Sequence, residues 1–236
     1  GPIKKDTSSF ILSGRRTYID VLAKPFIDTT NARGTGYFFY DLTAKLNWRL
    51  SDKDRLYLSG YFGRDVFSLS NSDLEFTFKI PWGNSTASLR WNHLFSDKLF
   101  VNTSAVFTDY NFAFEGGSNN FLFKLSSGIR DGNLKQDYTY YPNSFHNIKF
   151  GWNYTLHRFI PSSTEASSND VEFDTGEEVK IYGNEAAIYL LDEWDINENL
   201  KINAGFRLSM YQHIGPFTRY FKNPYNGTTD STNIYK

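Results

Sequence analysis

Few residues in this chain are of a type and spacing that could do chemistry. The four histidines, His93, His146, His157 and His213, are scattered, and none forms an HExxH or i,i+4 pair that would set two imidazoles on one face for a metal ion. The plainer reading puts them at interface, loop or lumen positions. Asp192, Glu193 and Asp195 offer carboxylates of the kind that share acid and base work in glycoside hydrolysis. Strand alternation, however, turns Asp192 away from the other two, so a solvated strand end is the simpler account. Cysteine is absent, which removes thiolate metal sites and a disulfide framework. No GxSxG elbow, Walker loop or GxGxxG run occurs, leaving nucleophilic and nucleotide chemistry without an anchor. The sequence thus predicts no enzyme, no metal site and no cofactor. The Asn84, Asn102 and Asn153 sequons fall in or beside expected strands and read as coincidences of a wet, Asn- and Ser-rich face.

The elements that must position these side chains follow from the stretch Phe38 to Phe62. Phe38, Tyr40, Leu42, Ala44, Leu46, Trp48 and Leu50 recur at every second position, with Asp41, Thr43, Lys45, Asn47 and Arg49 between them. A period of two is a strand with one apolar and one polar face. After Ser51-Asp52-Lys53-Asp54 the pattern resumes through Leu56, Leu58, Gly60 and Phe62. Ordinary strands run to roughly five or six residues, whereas a tilted strand crossing a bilayer needs roughly nine to eleven. The same pattern returns in hairpins with polar turns near residues 52, 97, 143 and 198.

Composition agrees. There are 22 Phe, 16 Tyr and 5 Trp, yet mean hydropathy is negative, the signature of large rings alternating with polar residues around a wet lumen. A net charge of -1 with dispersed Lys and Arg excludes a nucleic-acid partner. No run approaches the roughly 18 apolar residues of a membrane helix. The chain opens on Gly1-Pro2-Ile3 rather than Met, and it is expected to be a piece of a longer protein.

In chain order, Gly1 to Asp6 is expected as a turn, Ser8 to Thr17 as a strand, and Asp20 to Gly36 as a loop with a helical turn at Val21 to Lys24. Val66 to Gly83, Asn111 to Ser127 and Pro161 to Glu178 are expected as long loops, the last exposed and mobile. Short turns at one end and long loops at the other are the asymmetry of outer-membrane barrels. The expected fold is all-β, a partial antiparallel transmembrane β-barrel of about nine strands. Arg15, Lys45, Arg49, Arg90, Lys149 and Arg207 would line the lumen, as plug contacts, as guides for an anionic solute or simply as a wet wall. Leu42, Leu46, Leu89, Val101, Phe150, Ile202 and Phe206 would face lipid. Trp48, Trp91, Tyr140 and Trp194, each just before a short turn, would form an aromatic girdle. Trp82, Phe112, Phe114, Tyr220 and Phe221 are candidate ligand contacts in the loops.

Several segments carry a family resemblance: Gly1 to Asp6 with Ser13 to Arg16, Leu56 to Asp65 (LYLSGYFGRD), Gly128 to Asn143 (GIRDGNLKQDYTYYPN), Asn147 to Tyr154 (NIKFGWNY) and Tyr189 to Ser209 (YLLDEWDINENLKINAGFRLS). Together they resemble the barrel of a TonB-dependent outer-membrane receptor, especially the group with an N-terminal carboxypeptidase-regulatory-like domain. The resemblance implies a barrel of about 22 strands closed by a plug and energised through TonB. It implies active transport of a scarce or bulky solute across the bacterial outer membrane, with outer-membrane lipid, the plug, TonB and a surface lipoprotein as partners. Residues 1–236 would be part of one barrel domain, with plug and N-terminal domains absent. A passive barrel or structural envelope component, and a secreted β-rich carbohydrate-binding module, are the rival readings.

Overall fold

The computed structural model describes residues 1–27, 33–71, 73, 75–118, 120–169, 171–173, 178–215, 217–222, 227 and 229–234. The strands are β1 (Pro2–Lys4), β2 (Ser8–Arg16), β3 (Gly36–Arg49), β4 (Asp54–Asn71), β5 (Phe76–Ser96), β6 (Leu99–Ser118), β7 (Phe121–Asn143), β8 (His146–Ser168), β9 (Val171–Glu172), β10 (Ile181–Asn197), β11 (Leu200–Ile214), β12 (Phe217–Lys222) and β13 (Thr229–Ile234). Two short helices, α1 (Ile19–Leu22) and α2 (Lys24–Ile27), occupy the connection between β2 and β3. Eleven strands form one antiparallel sheet in chain order, with β9 attached to β8 off the main path, and β12 pairs with β13 separately. The nine expected strands are β2 to β8, β10 and β11. Within the described residues the sheet does not close.

The turns are built from local polar chemistry. Ser51 Oγ accepts from the amides of Lys53 and Asp54. Asn143 Oδ1 accepts from Phe145 and His146, and Asn197 Oδ1 from Asn199. These side-chain turns satisfy amides where the ladder ends.

Register fixes the geometry of the wall. Trp48, Leu56, Trp91, Thr103, Gln136, Trp152, Ile188 and Leu208 form one row of partnered residues. The pairing is symmetric about residues 52, 97, 144 and 198, which lie four, six, eight and ten residues from that row. The sheet therefore staggers by one residue per strand. With a rise of about 3.3 Å and a spacing of about 4.8 Å, that stagger tilts the strands by about 35°, as transmembrane barrels require.

Three expected loops prove to be strand. β4 and β5 pair out to Asn71 and Phe76, β6 and β7 to Ser118 and Phe121, and β8 runs to Ser168. Gly1 to Asp6, expected as a turn, contains β1. Alternation reports the contrast between lipid and water, and it vanishes where both faces of a strand are wet, although the ladder continues. β7 and β8, at 23 residues each, are about twice the length that spans a bilayer. Asymmetry between the two ends thus lies in strand overhang more than in loop length. Pro81 falls where the pairing of β5 with β6 skips from Lys79 to Trp82, the position a residue without an N–H tolerates.

Candidate functional site

One face of the sheet carries Leu42, Leu46, Leu89, Val101, Phe150, Ile202 and Phe206 together with Trp48, Trp91, Tyr140 and Trp194. The other carries Arg15, Lys45, Arg49, Arg90, Lys149 and Arg207. Leu42, Leu58, Phe62, Leu89 and Phe107 on the apolar face are 43% to 50% exposed, whereas Thr139, Thr155 and Ala187 on the opposite face are buried. Side chains that fan out on one side and crowd on the other mark a sheet curved with its polar face concave. Val101 differs from its apolar neighbours: at 2% exposure it is covered between the strands that carry His93 and Tyr138.

Measured from the hairpin centres, the apolar face begins at Trp48, Val101, Tyr140 and Trp194, four residues up. It ends where Arg64, Asp109, Arg130, Arg158 and Asn184 appear, twelve to fourteen residues up. At this tilt the band is about 25 Å tall, the height of the apolar belt of an outer-membrane barrel.

The six concave-face cations are not gathered into one site. Arg15 pairs with Asp41 and lies 5.2 Å from the Phe39 ring. Arg49 Nη2 donates to Asp52 at 2.8 Å, Arg90 stacks 4.6 Å from the Tyr57 ring, Lys149 pairs with Glu193, and Arg207 Nε donates to Ser209 Oγ at 3.1 Å. Lys45 sits in register between Ile11 and Ser59. Pairing of this kind suits a wetted wall. Asp192 faces away from Glu193, which takes Lys149, and Asp195, which takes Lys201, so the acidic cluster is not a carboxylate pair.

Above the apolar band the concave face becomes aromatic. Phe67, Phe78, Phe114 and Phe123, from four consecutive strands, form a chain of rings with centroids 6.5, 4.5 and 6.5 Å apart, the edge-to-face spacing of attractive ring pairs. Beside them Trp82 stacks on Tyr37 at 6.3 Å, and Tyr37 donates to Asp65 at 2.6 Å. Phe112 shares the face of Trp82, its partner in register. Trp82, Phe112 and Phe114 thus lie on strands rather than loops, while the Tyr220 and Phe221 side chains fall outside the described residues. Half-buried rings on a face that is polar lower down make this mouth the candidate solute-contacting surface. Deeper in, His157 Nδ1 lies 2.8 Å from Asp131 and its Nε2 lies 3.7 Å from Glu185. On the opposite face of the overhang, Lys79, Glu115, Lys124 and Glu165 alternate in charge across four strands beside a cavity of about 780 Å³. Glu178, outside the span, is held below the usual carboxylate range by its hydrogen bond from Lys180.

Two histidines carry interface roles that spacing along the chain did not reveal. Trp91 Nε1 and His93 Nδ1 reach the same Asp54 oxygen, at 3.0 and 2.6 Å. His146 Nδ1 contacts Asp192 at 2.7 Å while its ring stacks on Trp194 at 5.4 Å. This contact accounts for a carboxylate set inside the apolar band. His146→Leu leaves Asp192 without that partner and is expected to destabilise the barrel by about 1–3 kcal/mol. The double change with Asp192→Leu should recover most of the loss. Thermal unfolding of the purified barrel, followed by heat-dependent gel mobility, checks both.

No family model and no curated protein matches this chain. Solved structures do. The ferric-catecholate import receptor Fiu from E. coli K12 matches 99% of this chain and 46% of its own at a TM-score of 0.59 and 14% identity. The ferric yersiniabactin uptake receptor FyuA from Yersinia pestis matches 98% and 38% at 0.55 and 9%. The ferric citrate transporter FecA matches 99% and 41% at 0.50 and 12%. The chain spans less than half the length of each. At these identities the likeness is one of fold, and with the stagger and the apolar band it makes the chain a segment of the wall of an outer-membrane β-barrel.

Proposed function

We propose that this segment belongs to an outer-membrane uptake receptor, energised through TonB, that captures a scarce or bulky solute at the aromatic mouth and admits it past a plug. The reaction is transport, with no covalent chemistry. The observation that carries this reading is the concave ring surface of Tyr37, Trp82, Phe78 and Phe114 above an apolar band, on a fold shared with solved uptake receptors. The sequence resemblance adds an N-terminal carboxypeptidase-regulatory-like domain ahead of the plug, and a surface lipoprotein over the mouth.

The intact parent, isolated from separated outer membranes and sequenced by mass spectrometry, is expected to be several times longer, with a plug and a TonB box ahead of Gly1. A detergent-independent, soluble mature chain of about the present length would overturn the reading. A long barrel with neither plug nor TonB box would instead favour passive passage.

A further inference from the structure

On the convex face, immediately above the apolar band, basic residues replace apolar ones. Arg130 and Arg158 are direct cross-strand partners on β7 and β8, an arrangement in which like charges repel and weaken a sheet. Arg130 Nε donates to Asp109 at 2.8 Å, while Arg158 Nε is buried and has no hydrogen-bond partner among the described residues. In the adjoining row, Gly83, Asn111 and Gly128 lie in register between Arg64 and Ile160. A trough of about 430 Å³ follows this row, with Arg64, Asp109 and Asn111 in its lining, and Arg130 and Arg158 stand beside it in register with Asp109. Among the described residues the carboxylates here are Asp109, committed to Arg130, Glu115 on the trough wall, and Glu178, which takes Lys180 and lies within electrostatic reach of Arg158. Lys124 is a further cation on the wall.

We propose that this trough and the Arg130–Arg158 pair bind the phosphorylated headgroup of an outer-leaflet lipid. Three observations converge on that occupant. Most of the residues that line the trough, Arg64, Asp109, Asn111 and Lys124 among them, belong to the convex face rather than to the concave solute path. It is continuous with the apolar band below, so a molecule seated there places acyl chains on Phe62, Phe107 and Leu156 and its headgroup among the guanidiniums. A phosphate beside Arg130 and Arg158 cancels their repulsion, through the bidentate geometry in which guanidinium exceeds ammonium. The inference rests on the barrel-wall reading.

The test uses the intact barrel in detergent and native mass spectrometry. The probe is a diphosphorylated, acylated glucosamine disaccharide, compared with the same lipid after removal of its phosphates. Wild type is expected to retain the phosphorylated form about tenfold better, and Arg158→Gln and Arg130→Gln to lose about tenfold, the size of one charge-assisted hydrogen bond. Arg158→Lys should fall between, and heat-dependent gel mobility identifies variants that fail to fold. Equal retention of the two lipids, or unchanged retention by folded Arg158→Gln, overturns the proposal. Displacement of the lipid by an equal concentration of inorganic phosphate also overturns it, assigning the site to a free anion. Failure of the barrel-wall reading is distinct, because the protein would then not enter the micelle.

Discussion

Leu89→Lys is expected to destabilise the folded barrel by about 2–4 kcal/mol, and Leu156→Lys by no more than about 1 kcal/mol, although the two leucines have the same surroundings by exposure. They are 44% and 45% exposed on the same face of the sheet. What separates them is height. Leu89 stands eight residues above its hairpin centre, in the middle of the apolar band, while Leu156 stands twelve above its own, in register with Asn184 and one same-face position below Arg158. A bilayer penalises a cation by depth and spares one that can extend its stem to the headgroups. A soluble sheet packed on a partner penalises by coverage, and equal exposure then means equal cost. Arg90→Met, one position from Leu89 on the concave face, should lose only the contact with Tyr57, about 0.5–1 kcal/mol. Urea titration of the barrel refolded in lipid vesicles measures all three. Equal effects at 89 and 156 would mean that this face does not meet lipid.

The same contrast explains what could be read from the sequence. Phe38 to Leu50 announces a strand because one side meets hydrocarbon and the other water, and selection writes that difference at every second residue. Gly116-Gly117-Ser118 and, above a register shift at Pro161 and Ser162, Ser163 to Ser168 are paired as well, but both of their faces are wet, and composition alone reads as loop. Trp82, Phe112 and Phe114 drew notice as aromatics, yet their joining into one concave surface needed the register of β5 against β6. Strand alternation sets Asp192 on the apolar side, and its partner there is His146 on the neighbouring strand. Parity is a property of one strand and is legible. Partnership belongs to two strands, and no spacing along one chain encodes it. The resemblance to TonB-dependent receptors anticipated the wall correctly at the level of fold, while the loops expected from composition and turn residues were too long.

Gly151→Val should cost about 3–5 kcal/mol, combining overpacking with loss of a charged hydrogen bond, and its assembled fraction should fall steeply. Nothing in the sequence marks this glycine, which reads only as one more small residue on the polar face of β8. In the sheet it lies between Asp137 on β7 and Tyr189 on β10. The Tyr189 ring crosses above it, and the hydroxyl donates to the Asp137 carboxylate, so one side chain ties three strands together. A Cβ at 151 would fall inside the contact radius of the Gln136 carbonyl oxygen and within 3.0 Å of the Tyr189 hydroxyl. The backbone oxygen is held by the ladder and cannot yield, so the ring must lift and its bond to Asp137 must break. Rings laid over glycines in this way pin register as well as add stability. Tyr189→Phe, which keeps the ring and removes only the donor, should cost about 1–3 kcal/mol. If Gly151→Val proved no worse than Tyr189→Phe by urea titration, the ring's seat on glycine would contribute nothing beyond its hydrogen bond. A larger deficit for the valine variant is the expected result, because it alone removes both the donor's alignment and the closest approach of three strands.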